Sequence, residues 1–377
     1  MRKVALDLGA KKTTYCEVQN GVVVERATVT LSDSLRSLLG PDEPPAQVAI
    51  EACRQAWYVH DLLRGWGNEV LLVDTTRSRQ LGIGQHGRKT DRVDAEVLAR
   101  AVENGRIPAA HVLSPHRREL RRRLGIRRAL VENRAQMVTT ARGLASELGE
   151  RLPSCTTERF VRAVGRASLP AELKAMLEPL LATVEVLDLK LAGIEAELGK
   201  LCTAEPIVQH LCTVPGVGGI VAAAFVSVID DARRFRRAHE VESYLGLVPS
   251  ENSTGGKQRL GAITKKGNPY LRALLVEAAW CVLRNAGADD PLRRWGLAVA
   301  KRRGKTIAVV AIARRLVGIL WALWRDGTVY DPASLGKKSA RGLRASAQDI
   351  QTQAAALARA ARKDSCRRLT REVPKPS

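Results

Sequence analysis

Asn20-Gly21 lies between two stretches, Thr13 to Val18 and Val22 to Thr30, that are rich in valine and threonine. Asparagine followed by glycine is the pair that best tolerates the positive φ angles of a type I′ turn. The flanking stretches therefore read as an antiparallel hairpin. Ahead of them, Val4-Ala5-Leu6-Asp7-Leu8-Gly9 is a short apolar run carrying one acid. A half-solvated strand would place polar residues at alternate positions, whereas Asp7 stands nearly alone, as in a buried central strand. The chain thus opens on three consecutive strands. Asp7 is either an active-site acid on the first of them or a turn acid before Gly9.

Ser32 caps a helix through Leu39, and Gln47 to Ile50 is a fourth strand with Glu51 at its end. In α/β sheets, that edge is where ligands bind. A helix from Arg54 to Gly65 and a fifth strand from Glu69 to Val73 follow, and a basic loop then leads into Gly87-Arg88-Lys89-Thr90-Asp91-Arg92-Val93-Asp94-Ala95-Glu96. Thr90 suits an N-cap, and Asp91 to about Glu103 reads as a helix. Residues three apart share a helix face, so Asp91 and Asp94 point the same way and repel unless a cation lies between them. Hard carboxylate oxygens suit Mg²⁺. The alternative is an acidic first turn on a solvated helix. Acids on a first strand, a later strand end and a helix are the arrangement of an RNase H-like α/β fold.

These residues carry a family resemblance. Asp7, Glu51, Asp91 and Asp94 match the four acids of the DEDD, RuvC-like domain of insertion-sequence-110-type transposases. The run from Gly87 to Glu96 resembles that family's local signature. The resemblance implies a RuvC-like domain over residues 1–112, with Mg²⁺ held by the four acids.

The net charge of +22 and pI near 10.3 point to a polyanionic partner, most often nucleic acid. Aromatic residues are only 4%, which argues against a base-stacking platform and for Lys and Arg contacts to phosphates. The seven cysteines form no Cys-x-x-Cys pair, and the six histidines complete no zinc pattern. There is no unbroken apolar run of 18 residues, and the start of the chain lacks a signal-peptide core. The expectation is a cytoplasmic protein without a membrane partner.

Residues 113–205 read as a helical, charged linker, with Arg117, Arg118, Arg121, Arg122, Arg123, Arg127 and Arg128 crowding its start. It reads as a helical linker with a solvated basic face and, compatibly, as a dimerising arm that also lies on nucleic acid. In the resembled family this region is a coiled-coil insertion.

Residues 206–330 read as a mainly α domain. Val214-Pro215-Gly216-Val217-Gly218-Gly219 ahead of an alanine-rich helix has the pattern of a helix-hairpin-helix element, in which Gly216 and Gly218 let backbone N–H groups approach a phosphate. The alternative is a tight turn between packed helices. The segment from Gly246 to Arg272 reads as a flexible, basic loop with Lys257, Arg259, Lys265, Lys266 and Arg272 as cations. On chemistry alone it is a phosphate-binding loop. It also resembles the second domain of the same transposases, which carries a nucleophilic serine in a Ser-Ser/Thr-Gly motif. That serine maps to Ser253, with Thr254 in the second hydroxyl position and Ser250 outside the motif. Arg293 to Lys305 reads as a basic connector between buried helices. The tail over 331–377 holds eleven Lys or Arg against four Asp or Glu.

The resemblance further implies a recombinase of a mobile element. Its serine attacks donor and target DNA, and a structured non-coding guide RNA (the bridge RNA) selects the DNA; beside the acids, Arg88, Lys89 and Arg92 read as nucleic-acid contacts. Its protomers form a dimer that pairs into a tetramer, with the two parts of the site meeting between protomers. Two other functions fit the residues: a junction-resolvase-like nuclease using only the acids and water, and a non-catalytic nucleic-acid-binding protein.

Overall fold

The computed structural model describes residues 1–9, 11–30, 33–78, 91–251 and 259–333. The chain divides into two compact units, Met1–Leu113 and the remainder from Ser114.

The first unit is built on a five-stranded sheet. Its strands are β1 (Arg2–Leu8), β2 (Thr13–Gln19), β3 (Val22–Val29), β4 (Ala46–Glu51) and β5 (Glu69–Val73), in the order β3-β2-β1-β4-β5. The β1–β2 and β2–β3 pairs are antiparallel, whereas β1–β4 and β4–β5 are parallel. Asn20 and Gly21 adopt φ of 52° and 75°, the paired positive values a type I′ turn needs. One face packs Val4, Leu6, Val48, Ile50 and Leu72 against Leu35 and Leu39 of α1 (Asp33–Leu39) and Val59 and Leu63 of α2 (Ala56–Gly65). A one-turn α3 spans Thr75–Ser78. The other face packs Ala5, Cys16, Ala49 and Val73 against Ala95, Leu98, Ala99 and Val102 of α4 (Asp91–Glu103). The mixed, helix-flanked sheet is compatible with an RNase H-like fold.

The second unit is almost entirely helical. Two long helices, α5 (Pro115–Glu147) and α7 (Ala171–Ala204), each near 50 Å from their length, form an antiparallel pair within one chain. Their register is written in charge. Arg117 pairs with Glu205 at 2.9 Å, Arg127 with Glu195 at 2.7 Å and Arg134 with Asp188 at 2.8 Å, so each step along α5 is matched by an equal step back along α7. At the far end α6 (Phe160–Arg166) closes a small core of Val138, Ala141, Phe160, Leu173 and Leu177.

The near end joins a larger core with α8 (Pro206–Leu211), α9 (Gly219–Ile229), α10 (Ala238–Tyr244), α11 (Pro269–Asn285), α12 (Pro291–Arg303) and α13 (Lys305–Asp326). Prolines open α5, α8, α11 and α12, where a missing N–H costs nothing, and Ser114, Asn268 and Asp290 cap three of these helices. The residues expected to form a basic connector from Arg293 are helix α12, capped by Asp290 and ended at Gly304. Among the described residues α13 alone is long and apolar enough to cross a membrane. Arg314 and Arg315 interrupt it, and ten of its residues, including Ile312, Leu316 and Trp321, are buried in this core.

Candidate active site

Asp7 and Glu51 reach the same edge of the sheet. Leu6 lies opposite Ile50 on the adjacent parallel strands β1 and β4, and the next residue on each is the acid. Neighbouring strands run about 4.8 Å apart, so the two carboxylates start close together. Side chains alternate along a strand, which puts Asp7 on the face of Ala5 and Glu51 on the face of Ala49. That is the face covered by α4.

The direction of α4 decides where Asp91 and Asp94 fall. At its far end, the Glu103 carboxylate accepts from the Gly21 backbone N–H at 2.9 Å, and Arg100 donates to the Gly21 carbonyl. Gly21 belongs to the β2–β3 turn, at the opposite end of the sheet from Asp7. Midway, Glu96 pairs with Arg26 and accepts from Arg100 at 2.8 Å. Arg26 lies opposite Cys16, which lies opposite Ala5. From this anchor, Asp94 and Asp91 are about 3 and 7.5 Å further along the helix axis. Asp7 is about 7 Å beyond Ala5 in the same direction. The opening turn of α4 therefore stands over the edge where Asp7 and Glu51 emerge. Asp94 is 7% exposed, while Arg92 is exposed.

Asp7, Glu51 and Asp94 offer carboxylate oxygens, which fit a hard divalent cation such as Mg²⁺. Among the described residues no three His, Cys, Asp or Glu side chains are already gathered tightly enough to hold an ion. The Asp91 side chain, the fourth of the set, lies outside the described residues, as do Arg88 and Lys89.

In the second unit, the segment expected to be a flexible loop contains a two-stranded hairpin of β6 (Pro249–Glu251) and β7 (Leu260–Ile263). Ser253 and Lys257, which follow β6 and precede β7 in sequence, lie outside the described residues. The base is tightly built. The Thr264 N–H donates to the Val248 carbonyl at 2.9 Å and the Lys265 N–H to the Gly246 carbonyl at 3.0 Å. Gly246 has φ of 70°, and a Cβ there would lie 2.0 Å from the Lys266 carbonyl oxygen, so only glycine fits. Arg259, Lys265 and Lys266 are exposed. Arg272 is turned inward: its Nη1 donates to the carbonyls of Lys266 at 2.9 Å and Leu245 at 3.1 Å, and desolvation lowers its pKa. Its observed work is bracing the hairpin.

The glycine turn before α9 divides similarly. Gly216 has φ of 79° and lies against α11, where a Cβ would come 2.5 Å from the Ala278 carbonyl oxygen, so packing alone demands it. Gly218 is exposed at the N-cap of α9 with open space around it.

The arginines of α5 differ most from the sequence expectation of a solvated or nucleic-acid-facing basic side. Arg117, Arg123, Arg127, Arg128 and Arg134 each lie within 3.2 Å of a carboxylate. Glu96 is the residue that sequence reasoning passed over. Its spacing of four from Arg100 was a visible signal, but its partner Arg26 lies seventy residues away.

Comparison with known proteins gives two family matches. Residues 208–291 match the family described as transposase IS116/IS110/IS902, and residues 4–148 match a transposase model of the DEDD type from IS110. A probable family 20 transposase of Pseudomonas aeruginosa is 33% identical over 296 residues, covering 77% of this chain and 87% of that protein. The transposase for insertion sequence element IS1111A of Coxiella burnetii is 28% identical, covering 75% of this chain and 79% of that protein. An insertion element IS110 protein of Streptomyces coelicolor, itself uncharacterised, is 27% identical and covers 88% of this chain and 75% of that protein.

Proposed function

Because the chain belongs to the IS116/IS110/IS902 family of transposases, we propose that it cuts and exchanges DNA strands with four carboxylates and one serine. The observation that carries this reading is the meeting of Asp7, Glu51 and the opening turn of α4 at one sheet edge. In this reading residues 1–112 are an RNase H-like, RuvC-like domain, 113–205 a helical arm, 206–330 the serine-bearing domain and 331–377 a basic tail.

Asp7, Glu51, Asp91 and Asp94 would hold Mg²⁺, which supplies Lewis-acid polarisation of the phosphate when bound. The four carboxylates would fix its position beside the DNA backbone. Ser253 acts as the nucleophile. Its oxygen bonds to phosphorus, the bond to one strand oxygen breaks, and the proton lost by the serine ends on that oxygen as a free hydroxyl. Lys257, Arg259, Lys265 and Lys266 neutralise charge around the phosphate. A structured RNA encoded by the element serves as the guide, and the protomers pair as dimers that associate into tetramers.

The test combines the full chain, Mg²⁺, the non-coding RNA flanking its gene and end-labelled donor and target duplexes, resolved on a denaturing protein gel. The expected result is a labelled band at protein mass that disappears in Ser253→Ala and requires the RNA. Cleavage without that band, unchanged in Ser253→Ala, would make water the nucleophile and remove Ser253 from the site.

A further inference from the structure

The cations of the helical unit fall into two populations. Those along α5 are tied to carboxylates within the fold, as the pairs of Arg117, Arg127 and Arg134 with α7 illustrate. The corner between α12 and α13 is the reverse. Lys301, Arg302 and Arg303 close α12, Gly304 turns the chain with φ of 85°, and Lys305 opens α13. All four cations are exposed, and among the described residues none lies within ion-pairing distance of a carboxylate; Arg302 makes one long hydrogen bond, to the Ala298 carbonyl. Exposed Arg294 extends the row along α12, since it lies two helical turns before Lys301 and on the same side.

Like charges crowded together without counter-charges destabilise a fold. The negative end of the α12 dipole accounts for cations in its last turn. It does not account for Lys305, which stands at the positive end of α13. What offsets this arrangement is an external polyanion.

We infer that this corner is a phosphate-contact surface for duplex DNA, separate from the hairpin that carries Ser253. Helix α12 spaces Arg294 and Lys301 about 10 Å apart along its axis, and Arg302, Arg303 and Lys305 continue the cluster through the turn at Gly304. That axial span equals roughly three phosphates along one strand of a duplex. A single strand would call for exposed aromatic rings to stack on its bases. The aromatic ring of this region, Trp295, is half-buried with the Arg315 guanidinium 4.3 Å above it. The inference also reverses the ranking that the sequence suggests, because the arginine-rich start of α5 is internally neutralised and this shorter cluster is not. It rests on the DNA-handling function proposed above. Duplex affinity of the unaltered protein tests that function, and the differences between variants test the inference.

The experiment measures binding of the full chain to a 30-bp duplex DNA between about 50 and 300 mM salt, with a 30-nucleotide oligo-dT and a 30-bp RNA duplex alongside. One variant carries Lys301→Gln, Arg302→Gln, Arg303→Gln and Lys305→Gln. A control with the same change in net charge carries Arg122→Gln, Arg123→Gln, Arg127→Gln and Arg128→Gln. The corner variant is expected to lower the slope of log K against log salt by about 2–4 and to weaken duplex binding tenfold or more at 100 mM, whereas the control lowers the slope by less than about 1. An unchanged slope in the corner variant overturns the inference, and so does an equal fall in both variants, which would reflect net charge alone. A loss confined to oligo-dT or to the RNA duplex overturns the assignment to duplex DNA. The double variant Lys301→Gln/Lys305→Gln, checked by thermal melting, repeats the test with both residues fully on the surface.

Discussion

Asp7 and Glu51 stand side by side, each one residue beyond the Leu6–Ile50 pair on adjacent parallel strands. Two carboxylates on neighbouring strands repel each other, so their shared position points to chemistry more than to stability. Asp7→Asn and Glu51→Gln are each expected to lower strand cleavage by about 10³ or more if the carboxylate holds the catalytic cation proposed above. The thermal midpoint should move by no more than about 4 °C. A cleavage time course beside a melting curve reads both effects. An unfolded variant would assign these acids to the fold.

Glu96 ties α4 to β3 through Arg26 and also pairs with Arg100 on its own helix. Glu96→Ala is expected to cost about 1.5–3 kcal/mol in urea unfolding, the usual range for a hydrogen bond to a charged group. In a double-mutant cycle, Glu96→Ala and Arg26→Ala should be non-additive, with a coupling of at least about 0.5 kcal/mol. Additive losses would show that the pair does not hold the helix.

Glu205 joins the start of α5 to the end of α7 through Arg117 and His116. Burial pushes the Glu205 pKa up, but the hydrogen bonds from Arg117 and His116 outweigh it, so the net shift is downward. A lowered folded pKa gives stability that is present above the unfolded value, near 4.3, and is lost as pH falls through the folded value. The urea midpoint should therefore decline as pH drops from about 5 toward 3. In Glu205→Gln that decline should be shallower, and equal slopes would remove Glu205 from the acid response.

Gly246→Ala should cost about 2–4 kcal/mol, because a Cβ would be 2.0 Å from the Lys266 carbonyl oxygen in a positive-φ conformation. The hairpin carrying Ser253 would shift with it, so covalent adduct formation should fall together with stability. Gly218→Ala, with open space around it, should leave the melting temperature within about 2 °C.

Local chemistry settled much of this protein from sequence alone. Asn20-Gly21 gave the turn, because few residues tolerate two successive positive φ values. The helix from Asp91 to Glu103 was legible because apolar spacing and capping act within a few residues. All four acids lie on elements readable in the same way: Asp7 on β1, Glu51 at the end of β4, Asp91 and Asp94 on α4. The short strands β6 and β7 were missed because they pair with each other rather than follow a pattern of their own. Tertiary structure alone decided that β4 lies beside β1, that Arg26 meets Glu96, that Arg272 turns back on its own hairpin, and which arginines are free. The physical reason is range. Turns, caps and helix faces arise from neighbours one to four residues away. The charge state of a surface depends on partners such as Glu195, sixty-eight residues from Arg127, that only the folded chain brings within reach.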